Sequence, residues 1–241
     1  MILEVCVADP QSLAAAIAGG ADRLELCSAL ELGGLTPLPG LLALAAEASV
    51  PVYAMVRPRA GDFVFDAADT DTMLRDIDAI RAAGLAGVVI GASLADGRLD
   101  TRLLERLRSH ADGLGATLHR AIDLVPDVAE ATEAAIAVGV ERILSSGGAE
   151  SALDGLDRLA VMHRVARGRV AIMAGAGIRP GNAAEIIASG AVDELHSSCS
   201  GEPIAASPAA VRLGFATGPR METDAGIVRA LKAEMASRDP A

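Results

Sequence analysis

A chain of 241 residues, 51% apolar and 22% charged, can bury a large core, as two small domains or one large α/β barrel, and its composition argues against disorder. A net charge of −11, 2% aromatic residues and no Trp argue against nucleic-acid binding through phosphates or base stacking. Met1-Ile2-Leu3-Glu4-Val5 lacks a leader pattern, no charge-free apolar run reaches roughly 18 residues, and three Cys are too few for a disulfide framework, so a soluble cytoplasmic protein with no membrane or nucleic-acid partner is expected.

The first predicted strand, Ile2–Val7, leads into a helix opened by Asp9-Pro10 and closed by Gly19-Gly20. Strands over Arg23–Cys27, Pro51–Val56 and Ala86–Ile90 follow, with Met73, Ile77 and Ile80 at helical spacing before Gly84. Asp100 opens the next helix (Leu99, Leu103, Leu107), and a strand over Ala116–His119 leads into a loop ending at Val125-Pro126-Asp127, where Pro suits a first helical turn. Gly139 precedes a strand over Arg142–Leu144, and Leu153, Leu156 and Leu159 space a helix. Strands over Val170–Ala174 and Val192–His196 flank a helix ending near Gly190, and Thr223 precedes a last helix carrying Ile227, Leu231 and Met235. Eight βα cycles of this kind predict one (β/α)8 TIM barrel domain over residues 1–241. An open doubly wound sheet more often has a Gly-rich first βα turn, and Val7-Ala8-Asp9-Pro10 has no glycine.

In a barrel, functional groups gather at the C-terminal ends of the strands. Glu4 with Cys6, and Glu25 with Cys27, share strand faces at period two on the first two strands, and Arg57 and Arg59 follow the third. His119, Arg120 and Asp123 follow the fifth, Ser146 and Gly147 the sixth, Gly175 and Gly177 the seventh, and His196 and Ser197 close the eighth. No comparable polar set is expected at the opposite ends.

Each group has two readings. Cys6 and Cys27 are small hydrophobes filling the barrel, or, as neighbouring thiols, soft ligands of the kind Cu(I) favours. Glu4 and Glu25, on an inner face, have to be paired or functional. Arg57 and Arg59 either clamp a carboxylate or phosphate, or neutralise the two glutamates. Gly175 and Gly177 open a helix whose start favours an anion, although tight turns need glycine regardless. His119 and His196 stand where a general acid or base would reach a ligand, whereas His110 and His163 read as structural.

These residues resemble the CutC copper-homeostasis family over residues 1 to about 200, through Glu4-Val5-Cys6, Gly20-Ala21-Asp22-Arg23-Leu24-Glu25-Leu26-Cys27, Gly33-Gly34-Leu35-Thr36-Pro37 and Arg57-Pro58-Arg59-Ala60-Gly61-Asp62-Phe63. The resemblance continues through His119-Arg120 to Asp123, Ser146-Gly147-Gly148, Gly175-Ala176-Gly177-Ile178 with Asn182, and His196-Ser197. It implies a TIM barrel, a part in intracellular copper handling with Cys6 and Cys27 as Cu(I) ligands, and homo-oligomers; no organic cofactor is expected. Leu118 and Ile122 stand where the family tends to have Phe, Ser145 where it tends to have Thr, and Phe65 where Tyr is common, which implies a resized or less rigid pocket and a missing hydroxyl.

Two functions follow. In one, Cys6 and Cys27 hold copper. In the other, the barrel is an enzyme acting on a small phosphate- or carboxylate-bearing compound, with Glu4, Glu25, His119, Asp123 and His196 as candidate catalytic groups. There Arg57, Arg59, Arg120, Ser146, Gly147, Gly175, Gly177 and Ser197 would bind the ligand.

Overall fold

Strand β1 (Ile2–Val7) is buried from its second residue onward, and the strands that follow it are as short and apolar as a parallel sheet covered on both faces requires. They are β2 (Arg23–Leu26), β3 (Val52–Met55), β4 (Gly87–Ile90), β5 (Gly115–Leu118), β6 (Arg142–Ser145), β7 (Ala171–Ala174) and β8 (Glu194–Ser197). Each pairs in parallel with the next and β8 pairs with β1, which closes the barrel. The molecule is therefore a single-domain TIM barrel, as expected from the eight cycles. The structure, a computed structural model, describes residues 1–216 and 218–237.

Helices α1 (Pro10–Gly19), α2 (Pro39–Ala45), α3 (Ala67–Ala82), α4 (Thr101–His110) and α5 (Val128–Val138) cover the first half of the barrel. The second half is covered by α6 (Leu156–Ala166), α7 (Pro180–Ala188), α8 (Pro208–Arg212) and α9 (Ala225–Ala236). The caps explain most boundaries. Asp9 accepts from the Ser12 N–H and Asp100 from that of Leu103, as their positions suggested, and Gly20 and Gly139 end α1 and α5 in the left-handed region. The opening cap of α9 is Asp224 rather than Thr223, whose hydroxyl donates to the Ser198 carbonyl. Pro126 also lies outside its helix, because Asp127 caps α5, and Leu153 precedes the start of α6. On α3 the buried stripe is Thr70, Met73, Ile77 and Ile80, and each large apolar side chain there contributes about 1.5–3 kcal/mol by leaving water.

The strand starts carry a polar layer that the sequence reading did not expect. Arg23 forms ion pairs with Glu4 and Glu194, and Arg142 donates to the Thr117 hydroxyl (3.0 Å) and stacks over the Tyr53 ring at 4.6 Å. The Tyr53 hydroxyl donates to Glu141 (2.7 Å). The ring fits because its neighbours are Gly87 and Gly115; a Cβ on either would lie 2.3 Å from a Tyr53 atom. Charges at these ends are tolerated because they neutralise one another across neighbouring strands.

Candidate functional site

Strand pairing assembles the centre. In the β1–β8 register Glu4 lies opposite His196, and in the β1–β2 register Cys6 lies opposite Glu25. The buried His196 ring presents Nδ1 to Glu4 Oε1 at 2.9 Å and Nε2 to Glu25 Oε2 at 3.7 Å. A thiol, an imidazole nitrogen and a carboxylate oxygen from Cys6, His196 and Glu25 all lie within 4.8 Å of one another. Glu4 stands behind His196 and is held in turn by Arg23, which gives the ring a carboxylate to orient it.

Electrostatics separates the two glutamates. Burial works to raise the Glu4 carboxyl, but the hydrogen bond and charge of His196, joined by Arg23, bring it down to about 2. Burial raises Glu25, with the His196 charge opposing and the Glu4 charge reinforcing the rise. His196 itself is lifted well above its ordinary value: burial opposes this, but the charges of Cys6 and Glu25 and a hydrogen bond to Glu4 prevail. Cys27 approaches the same Glu25 oxygen, its Sγ 3.5 Å from Oε2, and is fully buried among Tyr53, Met55 and Val89. Burial, then the Glu25 charge, pushes its thiol up.

Above this centre opens a cavity of about 350 Å³. Of the residues singled out from the sequence, Cys6, Glu25, Arg57 and His119 line it, as do Arg120, Gly177, His196 and Ser197. Arg57 neutralises neither glutamate. Its guanidinium donates to the carbonyls of Leu32 (2.8 Å), Gly34 (3.0 Å) and Gly61 (2.9 Å), pinning two loops, while Phe63 lies 5.0 Å from it. Arg59 points away, to Asp69 (2.9 Å) and Asp62 (3.3 Å). Arg23, which the sequence reading assigned no role, takes the ion pair with Glu4; the signal was available, because Arg23 shares a face with Glu25 at period two.

His119 ends β5 as the cap of a short 3-10 helix, Arg120–Leu124, its Nδ1 accepting from the Ala121 N–H at 3.1 Å. Burial, then the Arg57 charge, lowers its pKa to about 3, so the ring is neutral and its proton sits on Nε2. Asp123 is a loop clamp beside the cavity. It accepts from the Ser145 hydroxyl (2.6 Å), from the Ser146 N–H (3.1 Å) and hydroxyl (3.0 Å), from the Gly148 N–H (3.0 Å) and from Arg120 (2.7 Å). Ser146 and Gly147 belong to that clamp, and Gly175 packs where a Cβ would strike Leu144 at 2.5 Å.

Leu118 and Ile122 are buried in the apolar core, and neither lines the cavity; Phe65 lies beneath Arg59 at 5.2 Å. The family departures at these positions therefore do not resize the cavity directly. Cys199, not among the site residues chosen from the sequence, does line it, with its backbone in the left-handed region at φ +45°. Its context, Ser197-Ser198-Cys199, carries no metal spacing that would have marked it.

Among the described residues no helix is long and apolar enough to cross a membrane. The CutC family model matches residues 1–201. A CutC family protein of Sinorhizobium medicae is 58% identical over 233 residues, covering 97% of this chain and 95% of that one. One from Caulobacter vibrioides is 56% identical over 236 residues, covering 97% and 96%. The solved CutC structure from Streptococcus agalactiae, whose name links it to copper homeostasis, superposes with a TM-score of 0.78 at 27% identity, covering 82% of this chain and 98% of that one. An aldolase at 14% identity and TM-score 0.61 (81% and 89% covered) shares the barrel alone. With the family model spanning most of its length and relatives above half identity along nearly all of it, this chain belongs to the CutC family.

Proposed function

We propose that this protein handles copper, taking Cu(I) as cargo at Cys6 with His196 as the second ligand and Glu25 beside them. The observation that carries the reading is the convergence of those three donors within 4.8 Å at the floor of an open cavity. Thiolate and imidazole are the donor types that suit a soft cuprous ion, and Glu4 orients the imidazole as carboxylates do behind metal-ligating histidines. Cys27 falls outside this group of donors and is fully buried. The copper-homeostasis name of the Streptococcus agalactiae relative agrees with the reading. Three unpaired cysteines suit a reducing compartment, which we take to be the cytoplasm. The reading includes self-association, for which exposed Val211, Leu213 and Phe215 offer apolar surface and which sedimentation velocity tests.

Anaerobic Cu(I) titration against a competing chelator tests the site. Cys6→Ser is expected to weaken binding at least about tenfold and Cys27→Ser much less; equal affinity in the wild type and Cys6→Ser would end the copper assignment at this centre.

One observation favours a second reading, an enzyme that acts on a small anionic compound by acid/base chemistry. A cavity of about 350 Å³ has the size of a small-molecule site, far beyond a single ion. Three of the residues that line it each hold a polar atom buried without a partner among the described residues: Glu25 Oε1, Arg57 Nε and His119 Nε2. His196 and Glu25, whose pKa values are both raised, are the proton carriers in that reading, and a screen for turnover with His196→Gln as the blank tests it.

A further inference from the structure

We propose that the loops after β7 and β8 form a phosphate-binding subsite on the cavity rim, seating the phosphomonoester group of a small organic compound whose other end reaches Cys6 and His196. This rests on the second reading above and names its substrate class. Three backbone donors carry it. The N–H groups of Gly177, Ile178 and Ser198 belong to residues that line the cavity, and none has an acceptor among the described residues. Ala176 and Gly177 are both left-handed (φ +76° and +72°), and α7 begins at Pro180, so the loop runs directly into a helix start, the end that favours an anion.

The side chains around the same cavity supply an independent indication. Arg57 is 5% exposed, and its guanidinium is bound to carbonyls, so no carboxylate among the described residues neutralises its charge; its Nε has no partner. His119, 3% exposed, keeps an unpartnered Nε2 that carries the proton of the neutral ring. Arg57 and Arg179 line the cavity with no ion pair among the described residues, Arg120 lines it paired with Asp123, and Glu25 is the one acidic residue lining it among those described, although the chain as a whole carries −11. Local charge of the opposite sign to the molecule, focused in a concave site, is what draws an anion there. N–H groups on two separate loops suit the several oxygens of a tetrahedral phosphate better than the two coplanar oxygens of a carboxylate.

Full-length protein is titrated with inorganic phosphate, following the phosphorus NMR line width and Tm, with chloride at equal ionic strength as the blank and acetate as the carboxylate arm. Phosphate is expected to raise Tm and broaden its own resonance saturably, with acetate having little effect. Ser198→Asp, which sets a carboxylate beside the Ser198 N–H, is expected to weaken phosphate about tenfold or more while circular dichroism shows an intact fold. Stabilisation by acetate but not phosphate would overturn the phosphate assignment and leave the enzyme reading standing. No response to either anion would overturn both. Unchanged phosphate affinity in a folded Ser198→Asp protein would overturn the placement on these loops.

Discussion

Gly91 leaves room that the His119 imidazole fills: a Cβ at that position would lie 2.1 Å from His119 Cε1. Gly91→Ala is therefore expected to lower unfolding free energy by about 1–3 kcal/mol in urea titration, with the loss falling in His119→Ala, where the clash is absent. The same histidine predicts a pH dependence. Its pKa is near 3 in the folded protein and about 6.5 when exposed, so between these values the unfolded chain binds the extra proton and stability falls as pH falls. Glu4, at about 2 when folded against an ordinary 4.5, adds a further loss below about pH 4.5. His196, whose pKa is raised, acts in the opposite sense above about pH 6.5, so the window lies below it: from pH 6.5 to 5 the urea midpoint of the wild type should fall relative to that of His119→Gln, and parallel slopes would rule out His119 as the source. Glu4 and His119 were both legible as candidates from their places on or just after predicted strands. That His119 is neutral and Glu4 charged was not, because those states depend on burial and then Arg57 for the one and on His196, joined by Arg23, for the other.

At the scale of elements, Asp123 joins the segment after β5 to the loop after β6 by accepting from Ser145, Ser146 and Gly148. Asp123→Asn replaces an acceptor by a donor facing those N–H groups, and is expected to cost about 1–3 kcal/mol and to speed amide exchange at Ser146 and Gly148 selectively. On α3, Ile77→Ala removes a fully buried side chain from the stripe against the barrel, at an expected cost of about 2–5 kcal/mol in denaturant unfolding. The stripe on α3 and the caps Asp9 and Asp100 were readable because they are local signals, three or four residues long. The helix α2, with Leu38 and Pro39 at its start and no side-chain cap, had no such signal. The 3-10 turn after His119 has no such signal either.

At the scale of the molecule, the eightfold alternation of strand and helix was sufficient for the barrel, because each short apolar run had one economical place in a closed parallel sheet. The charged layer of Arg23, Arg142 and Glu194 at the strand starts was missed: each is a single polar residue opening an apolar run, and only strand register shows that they meet. The candidate site was located by the rule that function gathers at strand ends, while the division between lining residues and supports such as Glu4 and Asp123 needed coordinates.

The register Glu4 opposite His196 places the centre on the seam where the first strand of the chain meets the last. During synthesis Cys6 leaves the ribosome about 190 residues before His196, so a nascent chain carries the thiol without its imidazole partner. The centre comes into being only at closure, and a protein cut anywhere before β8 has none. An assembled cluster of Cys6, Glu25 and His196 thus reports, within one molecule, that the whole ring has been completed.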